Sequence, residues 1–150
     1  MPAAPATASL ARRLLARWFY LWGLSLCYSG NARADKSLYR AGARSLQRAA
    51  RLWPEFAAAH YQLGLIRGRE LGEYQAAVAD LERASALRPE WPEPYLQRGL
   101  LHRFNGAPDA AVAALRRFVE LAPASYWRDE AQRQIAIIED ERGAAGPPVL

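Results

Sequence analysis

The 150-residue sequence predicts an all-α chain, a helix-turn-helix unit repeated about three times. Three observations carry that prediction. Prolines at 54, 89 and 123 close three segments that can be laid over one another: SLYRAGARSLQRAARLWP (37–54), GEYQAAVADLERASALRP (72–89) and NGAPDAAVAALRRFVELAP (105–123). Counting back from each proline, a small residue stands at the same place (Gly42, Ala77, Ala111), then a leucine (Leu46, Leu81, Leu115), then Ala49, Ala84 or Phe118, all on one face of a helix. The composition is rich in Ala, Leu, Arg and Glu, without the alternating Val, Ile and Thr that strands favour.

The elements follow in order. Residues 1–9 are expected to be disordered, and residues 10–54 form the first unit with an inserted turn. In its leading helix Phe19, Trp22, Gly23 and Leu26 make the buried face, YSGN turns the chain at Gly30, and residues 31–37 are inserted before or into the second helix. Taking Gly30 as the marker glycine instead would put Leu26, Ser29 and Arg33 inside, a poor face to bury. Residues 55–89 form the second unit, whose first helix is HYQLGLIRGRELG (60–72), and residues 90–123 the third, with YLQRGLLHRFNG (95–106). The second unit carries one extra residue between its two glycines. A repeat array exposes its last core face unless something covers it. Residues 124–142 suit that role, with Trp127, Ala131, Ile135 and Ile138 on one face and Arg128, Asp129, Gln132 and Arg133 elsewhere. The tail, 143–150, is expected to be disordered.

These residues resemble the tetratricopeptide repeat family, whose pattern is W-x2-L-G-x2-Y, A-x3-F and P over 34 residues. The third unit keeps the spacing from Tyr95 through Gly99, Gly106, Ala111, Leu115 and Phe118 to Pro123; the second supplies Leu63, Gly64, Gly72, Tyr74, Ala77, Leu81, Ala84 and Pro89. His60 stands in place of the Trp, Arg98 in place of the Leu, and Arg67 and His102 in place of the Tyr. The resemblance implies a right-handed solenoid of about three units plus a capping helix. It further implies a non-catalytic adaptor or scaffold whose first helices line a concave groove.

At the places the resemblance assigns to that groove stand Tyr20, Leu24 and Tyr28 in the first unit, Tyr61, Leu65 and Arg69 in the second, and Leu96, Leu100, Arg103 and Phe104 in the third. Arg17, Cys27, Ala58, Gly68 and Glu93 belong to the same helix faces. Family members that clamp an acidic chaperone tail use Lys, Asn and Arg at places where this chain has Tyr20, Leu24, Gln62, Glu93 and Gln97. A hydrophobic or amphipathic peptide or helix is the expected partner, since Tyr, Phe and Arg are enriched in binding hot spots. The competing expectation is that the protein's own termini fill the groove.

Nothing in the sequence assembles a catalytic site, and no enzyme, cofactor or metal is expected. Cys27 is alone, which excludes an intramolecular disulfide and a cysteine metal site, and it reads as a small hydrophobe. His60 and His102 stand where the repeat packs aromatics, and Glu139, Asp140 and Glu141 read as a solvated helix end. No phosphate-loop motif is present.

Charge is uneven. Residues 1–53 hold eight Arg and Lys36 against Asp35, a net of +8, whereas 54–150 hold eleven Arg against fourteen acids. Lys36, Arg40, Arg44 and Arg48 recur every four residues as a basic stripe, either a solvated face or a surface for an acidic protein or anionic lipid. Nucleic acid is not expected, because the stripe lacks interleaved stacking aromatics. Arg12, Arg13 and Arg17, the uncharged run 18–28 and Ala32-Arg33-Ala34 mimic an export signal. Cutting after Ala34 would strand the second helix of unit one, so a cytoplasmic protein is expected, with export or membrane association through residues 10–34 as the alternative. A run of eleven is too short to span a bilayer.

Overall fold

A computed structural model describes residues 8–144, and among them every regular element is helical. The helices are α1 (Leu10–Arg33), α2 (Lys36–Leu52), α3 (Ala57–Ile66), continued by a π-helical turn (Arg67–Leu71), α4 (Tyr74–Leu87), α5 (Glu93–Phe104), α6 (Pro108–Leu121) and α7 (Tyr126–Ala144). The chain divides into two compact units between Leu87 and Arg88. The tail expected to be disordered falls largely on 145–150, which lie outside the described residues, as do residues 1–7.

In the first unit α1 pairs with α2 and α3 with α4. The positions read from the repeat pattern form the core: Leu46, Ala49, Ala77, Leu81 and Ala84 are wholly buried, and Gly42 is buried with them. Glycine lets each first helix lie close against its partner. A Cβ on Gly23 would meet Leu46 Cγ at 2.9 Å, and one on Gly64 would meet Leu81 Cγ at 2.7 Å.

The first repeat departs from expectation at its insertion. The helix does not turn at YSGN; α1 runs on through Gly30 to Arg33. Gly30 is spent on packing, since a Cβ there would lie 3.2 Å from the Asp35 carbonyl and 3.3 Å from Leu38 Cβ. The chain reverses instead at Ala34, which takes a left-handed conformation with φ 51°. Ala34 N–H donates to the Asn31 carbonyl and Asp35 N–H to that of Gly30, the Schellman arrangement of a helix end. Asp35 then caps α2, its carboxylate accepting from Ser37 N–H at 2.8 Å.

The face of α1 is also rotated from expectation. Ala16, Gly23, Cys27 and Gly30 are buried, Phe19 and Leu26 are half-buried, and Trp22 is exposed. The four buried residues are small, as two helices in close contact require.

The extra residue of the second repeat is absorbed by the π turn. Gly72 N–H bonds to the Arg67 carbonyl, five residues back, and Gly72 then ends the helix at φ 69°, the conformation Gly106 adopts at φ 70° after α5.

In the second unit α6 packs between α5 and α7. Ala111, Val112, Leu115, Phe118 and Ala122 form a core with Leu96, Ala131 and Ile138, and Ile135 is half-buried against it. Trp127, expected on the buried face of α7, is exposed and packs edge-on against Tyr126. Glu139 is paired with Arg116, and Arg142 reaches Asp109 at 2.8 Å. These exposed pairs join α7 to α6 but add little stability.

Candidate functional site

Within the first unit the expected groove residues divide between packing and surface. The Tyr20 ring lies 4.9 Å from Phe56, and its hydroxyl is hydrogen-bonded with Gln62, so it bridges α1 and α3. Burial raises its phenol pKa, partly offset by Gln62. Leu24 is half-buried against Cys27, Tyr39, Ala43, Leu46 and Leu63. Tyr61 and Leu65 on α3 are half-buried, Arg69 is exposed on the π turn, and Tyr28 is 77% exposed near the end of α1. Cys27, counted with the groove face, belongs instead to the core. Burial, with Glu70 adding to it, pushes its thiol pKa up to about 11, which leaves it protonated and unreactive near neutrality.

In the second unit Leu96 is not a surface residue. It is buried among Val112, Leu115 and their neighbours, because it precedes Gly99 by one helical turn on the side that meets α6. Leu100, one turn on, is exposed at 36%, and Phe104 is exposed at 91%. Arg103 beside them is half-buried; its Nη1 is enclosed without a hydrogen-bond partner among the described residues, and its charge is felt by the Glu130 carboxylate. Arg133 and Gln134 are the larger causes of the lowered Glu130 pKa.

Lys36, Arg40, Arg44 and Arg48 all face water along α2. Arg44 and Arg48 line a shallow pocket of about 230 Å³ between α1 and α2, whose other walls include Trp18, Phe19, Trp22 and Leu26. Arg48 sits 5.6 Å from the Phe19 ring, Ser45 Oγ donates to the Phe19 carbonyl at 2.8 Å, and Trp18 stacks on Trp22 at 6.2 Å. This basic and aromatic pairing was hidden from the sequence because Phe19, Trp22 and Leu26 read as buried. The small residues Ala16, Gly23, Cys27 and Gly30, spaced by seven, four and three, carried the correct register.

The polar interior of unit one is structural. Arg67 Nη1 pairs with Asp80 Oδ2 at 2.6 Å and Arg67 Nε with Glu73 at 3.4 Å; His60 Nδ1 lies 3.9 Å from Asp80 Oδ1, and His60 Nε2 lies 3.1 Å from the Pro54 carbonyl. The cluster ties α3 and the π turn to α4. His102 is buried in α5. Among the described residues no group of three His, Cys, Asp or Glu could hold a metal, and no helix is long and apolar enough to cross a membrane.

Residues 57–90 and 92–125 each match the tetratricopeptide repeat family model. No curated protein sequence matches the chain significantly. Among solved structures the fold is similar to PcrH in complex with the chaperone binding region of PopD, with a TM-score of 0.74 at 16% identity over 92% of this chain and 99% of that one. It is similar also to the Yersinia enterocolitica type III secretion chaperone SycD in complex with a peptide of the translocator YopD, with a TM-score of 0.72 at 15% identity over 84% of this chain and 93% of that one. The first repeat domain of Spaghetti (RPAP3), bound to the HSP90 peptide SRMEEVD, gives 0.66 at 18% identity over 83% of this chain and 95% of that one. At these identities the likeness is one of fold.

Proposed function

Since the chain is a tetratricopeptide repeat protein, we propose that it is a non-catalytic adaptor that holds an apolar or amphipathic peptide against the first helices of its repeats. One observation carries this. Leu100 and Phe104, a turn apart on α5 inside a matched repeat, stand exposed, with the enclosed Arg103 between them in sequence. An exposed apolar pair beside a cationic side chain suits a peptide that brings a hydrophobic side chain. In the first unit the half-buried Leu24 on α1 and Tyr61 and Leu65 on α3 are the corresponding positions. The named complexes of PcrH, SycD and Spaghetti hold peptides, which supports a peptide partner here.

The absence of Lys, Asn and Arg at the clamp positions Tyr20, Leu24, Gln62, Glu93 and Gln97 argues against an acidic chaperone tail as that peptide. The packing of α2 on α1 supports a cytoplasmic protein that keeps residues 10–34, since their removal would expose that surface.

Calorimetric titration with amphipathic helical and extended apolar peptides tests the proposal. The variant Leu100→Ala with Phe104→Ala keeps its fold, since both side chains are exposed, and should bind at least about tenfold more weakly, a loss of about 1.4 kcal/mol. Equal binding by wild type and variant, or no binding of any apolar peptide by the wild type, would sink it.

A further inference from the structure

We propose that the outer face of α1 docks on an anionic lipid bilayer, lying in the plane of its interface. Leu10, Leu14, Trp18, Leu21 and Tyr28 recur at intervals of four, four, three and seven along α1, and all are exposed. They occupy the side opposite the buried Ala16, Gly23, Cys27 and Gly30, and Leu15 and Trp22 widen the stripe. A helix apolar on both sides needs a second cover. The stripe runs about 27 Å along the helix at 1.5 Å per residue.

Charge says what the cover is. From residue 10 to 34 the helix and its end carry Arg12, Arg13, Arg17 and Arg33 and no acid. On one border stand Arg13 and Arg17, with their guanidiniums 5.4 and 5.8 Å from the Trp53 ring; on the other, across the pocket lined by Trp18 and Trp22, stand Arg44 and Arg48. An apolar strip with aromatic side chains between cationic borders is the pattern of a helix that lies at a membrane surface. Trp and Tyr favour the headgroup level, and Arg is drawn to anionic lipid. A second copy of the chain would instead set arginines against arginines with no carboxylate between them. The side chains also protrude from a convex helix, which suits insertion into a fluid layer; a protein partner would have to bring the groove itself.

The test is co-flotation of the full chain with vesicles of phosphatidylcholine alone and of phosphatidylcholine with phosphatidylglycerol, alongside sedimentation velocity without lipid. The wild type should float with the anionic vesicles, lose that association as salt rises, and bind neutral vesicles at least tenfold more weakly. Leu14→Ser with Leu21→Ser, both exposed positions, should retain the helical circular dichroism and lose binding at least tenfold. Arg44→Gln with Arg48→Gln should weaken binding to anionic vesicles only. Several results would overturn the proposal: no vesicle binding by the wild type, equal binding to both vesicle types, or an undiminished serine variant. A lipid-free dimer dissociated by the serine variant, with no flotation, would assign the face to self-association. Saturable capture of an acidic amphipathic peptide, again with no flotation, would assign it to a protein. Neither outcome bears on peptide binding through Leu100 and Phe104, which the serine variant leaves intact.

Discussion

Gly99 of α5 backs onto Leu115 of α6 so closely that a Cβ on the glycine would lie 2.6 Å from both Cγ and Cδ2 of the leucine. Gly64 stands in the same relation to Leu81, and Gly23 to Leu46. All three leucines are wholly buried. The contact is the fixed point of each helix pair: it sets how near the first helix comes to the second, and the insertion in the first repeat and the π turn in the second repeat are accommodated on the far side of it.

The first prediction is that Gly99→Ala destabilises the protein even though alanine is the better helix former. Leu115 is clasped at its branch point, so it cannot swing aside, and overpacking costs about 1–3 kcal/mol. At Gly143 of α7 a Cβ would meet nothing within 4 Å, and Gly143→Ala should be neutral or stabilising. Urea unfolding of the two variants, compared at constant m-value, checks the contrast; equal midpoints would disprove it.

The second prediction concerns the helix end at Ala34. An L-residue in the left-handed region costs about 1–2 kcal/mol, whereas glycine enters it without steric penalty. Ala34 has φ 51° and keeps both carbonyl contacts of the Schellman turn, so Ala34→Gly should raise stability by about 0.5–1 kcal/mol once the greater chain entropy of glycine is deducted. A fall in thermal midpoint would contradict this.

Much of the fold was legible because Leu46, Leu81 and Leu115 recur at a fixed distance from a proline, and a repeated unit must bury the same residue each time. The first helix was harder for a physical reason. Apolar side chains surround α1, so periodicity alone does not choose its inner face, and the larger residues Trp22 and Phe19 outweighed the small ones that make the contact. Gly30 looked like a helix terminator, yet it is required for close approach to Leu38 and Tyr39, and the reversal fell on an alanine. At the candidate site, family spacing located Leu100 and Phe104 on the surface but also nominated Leu96, which neighbouring α6 buries. Such local overrides depend on a second element and leave no mark in one helix's own pattern.

The third prediction is a pH dependence at Cys27. Its folded pKa of about 11 lies above the ordinary 9.0, so the folded state holds the proton more tightly than the unfolded chain. The contribution is complete below pH 9 and is lost as pH rises from there toward about 11. Tyr20 and Tyr39, whose pKa values burial also raises, add to the loss above pH 10. Below that window Cys27→Ala should be less stable than the wild type by the lost packing, and the gap should narrow as the wild type alone loses the stability that its protonated thiol supplies. A gap constant from pH 8 to 11 would show that the thiol ionises equally in both states.

The last prediction separates the two ends of the ion pair between α4 and the π turn. Arg67 and Asp80 are mostly buried, with side chains 18% and 13% exposed, and meet at 2.6 Å. Breaking a buried pair leaves a charge behind, and the cost depends on what that charge can still reach. Asp80→Leu leaves Arg67 with Glu73, 3.4 Å away, and should cost about 1–2 kcal/mol. Arg67→Met leaves Asp80 beside the ring of His60, 3.9 Å away, and should cost more, about 2–4 kcal/mol. In the double variant the stranded charge is gone and an apolar pair of similar volume remains. Its stability should therefore recover above that of Arg67→Met alone, giving a favourable interaction energy in the double-mutant cycle. If instead the two single costs are equal and add, Asp80 is adequately solvated without its arginine, and the pair contributes nothing to holding the π turn against α4.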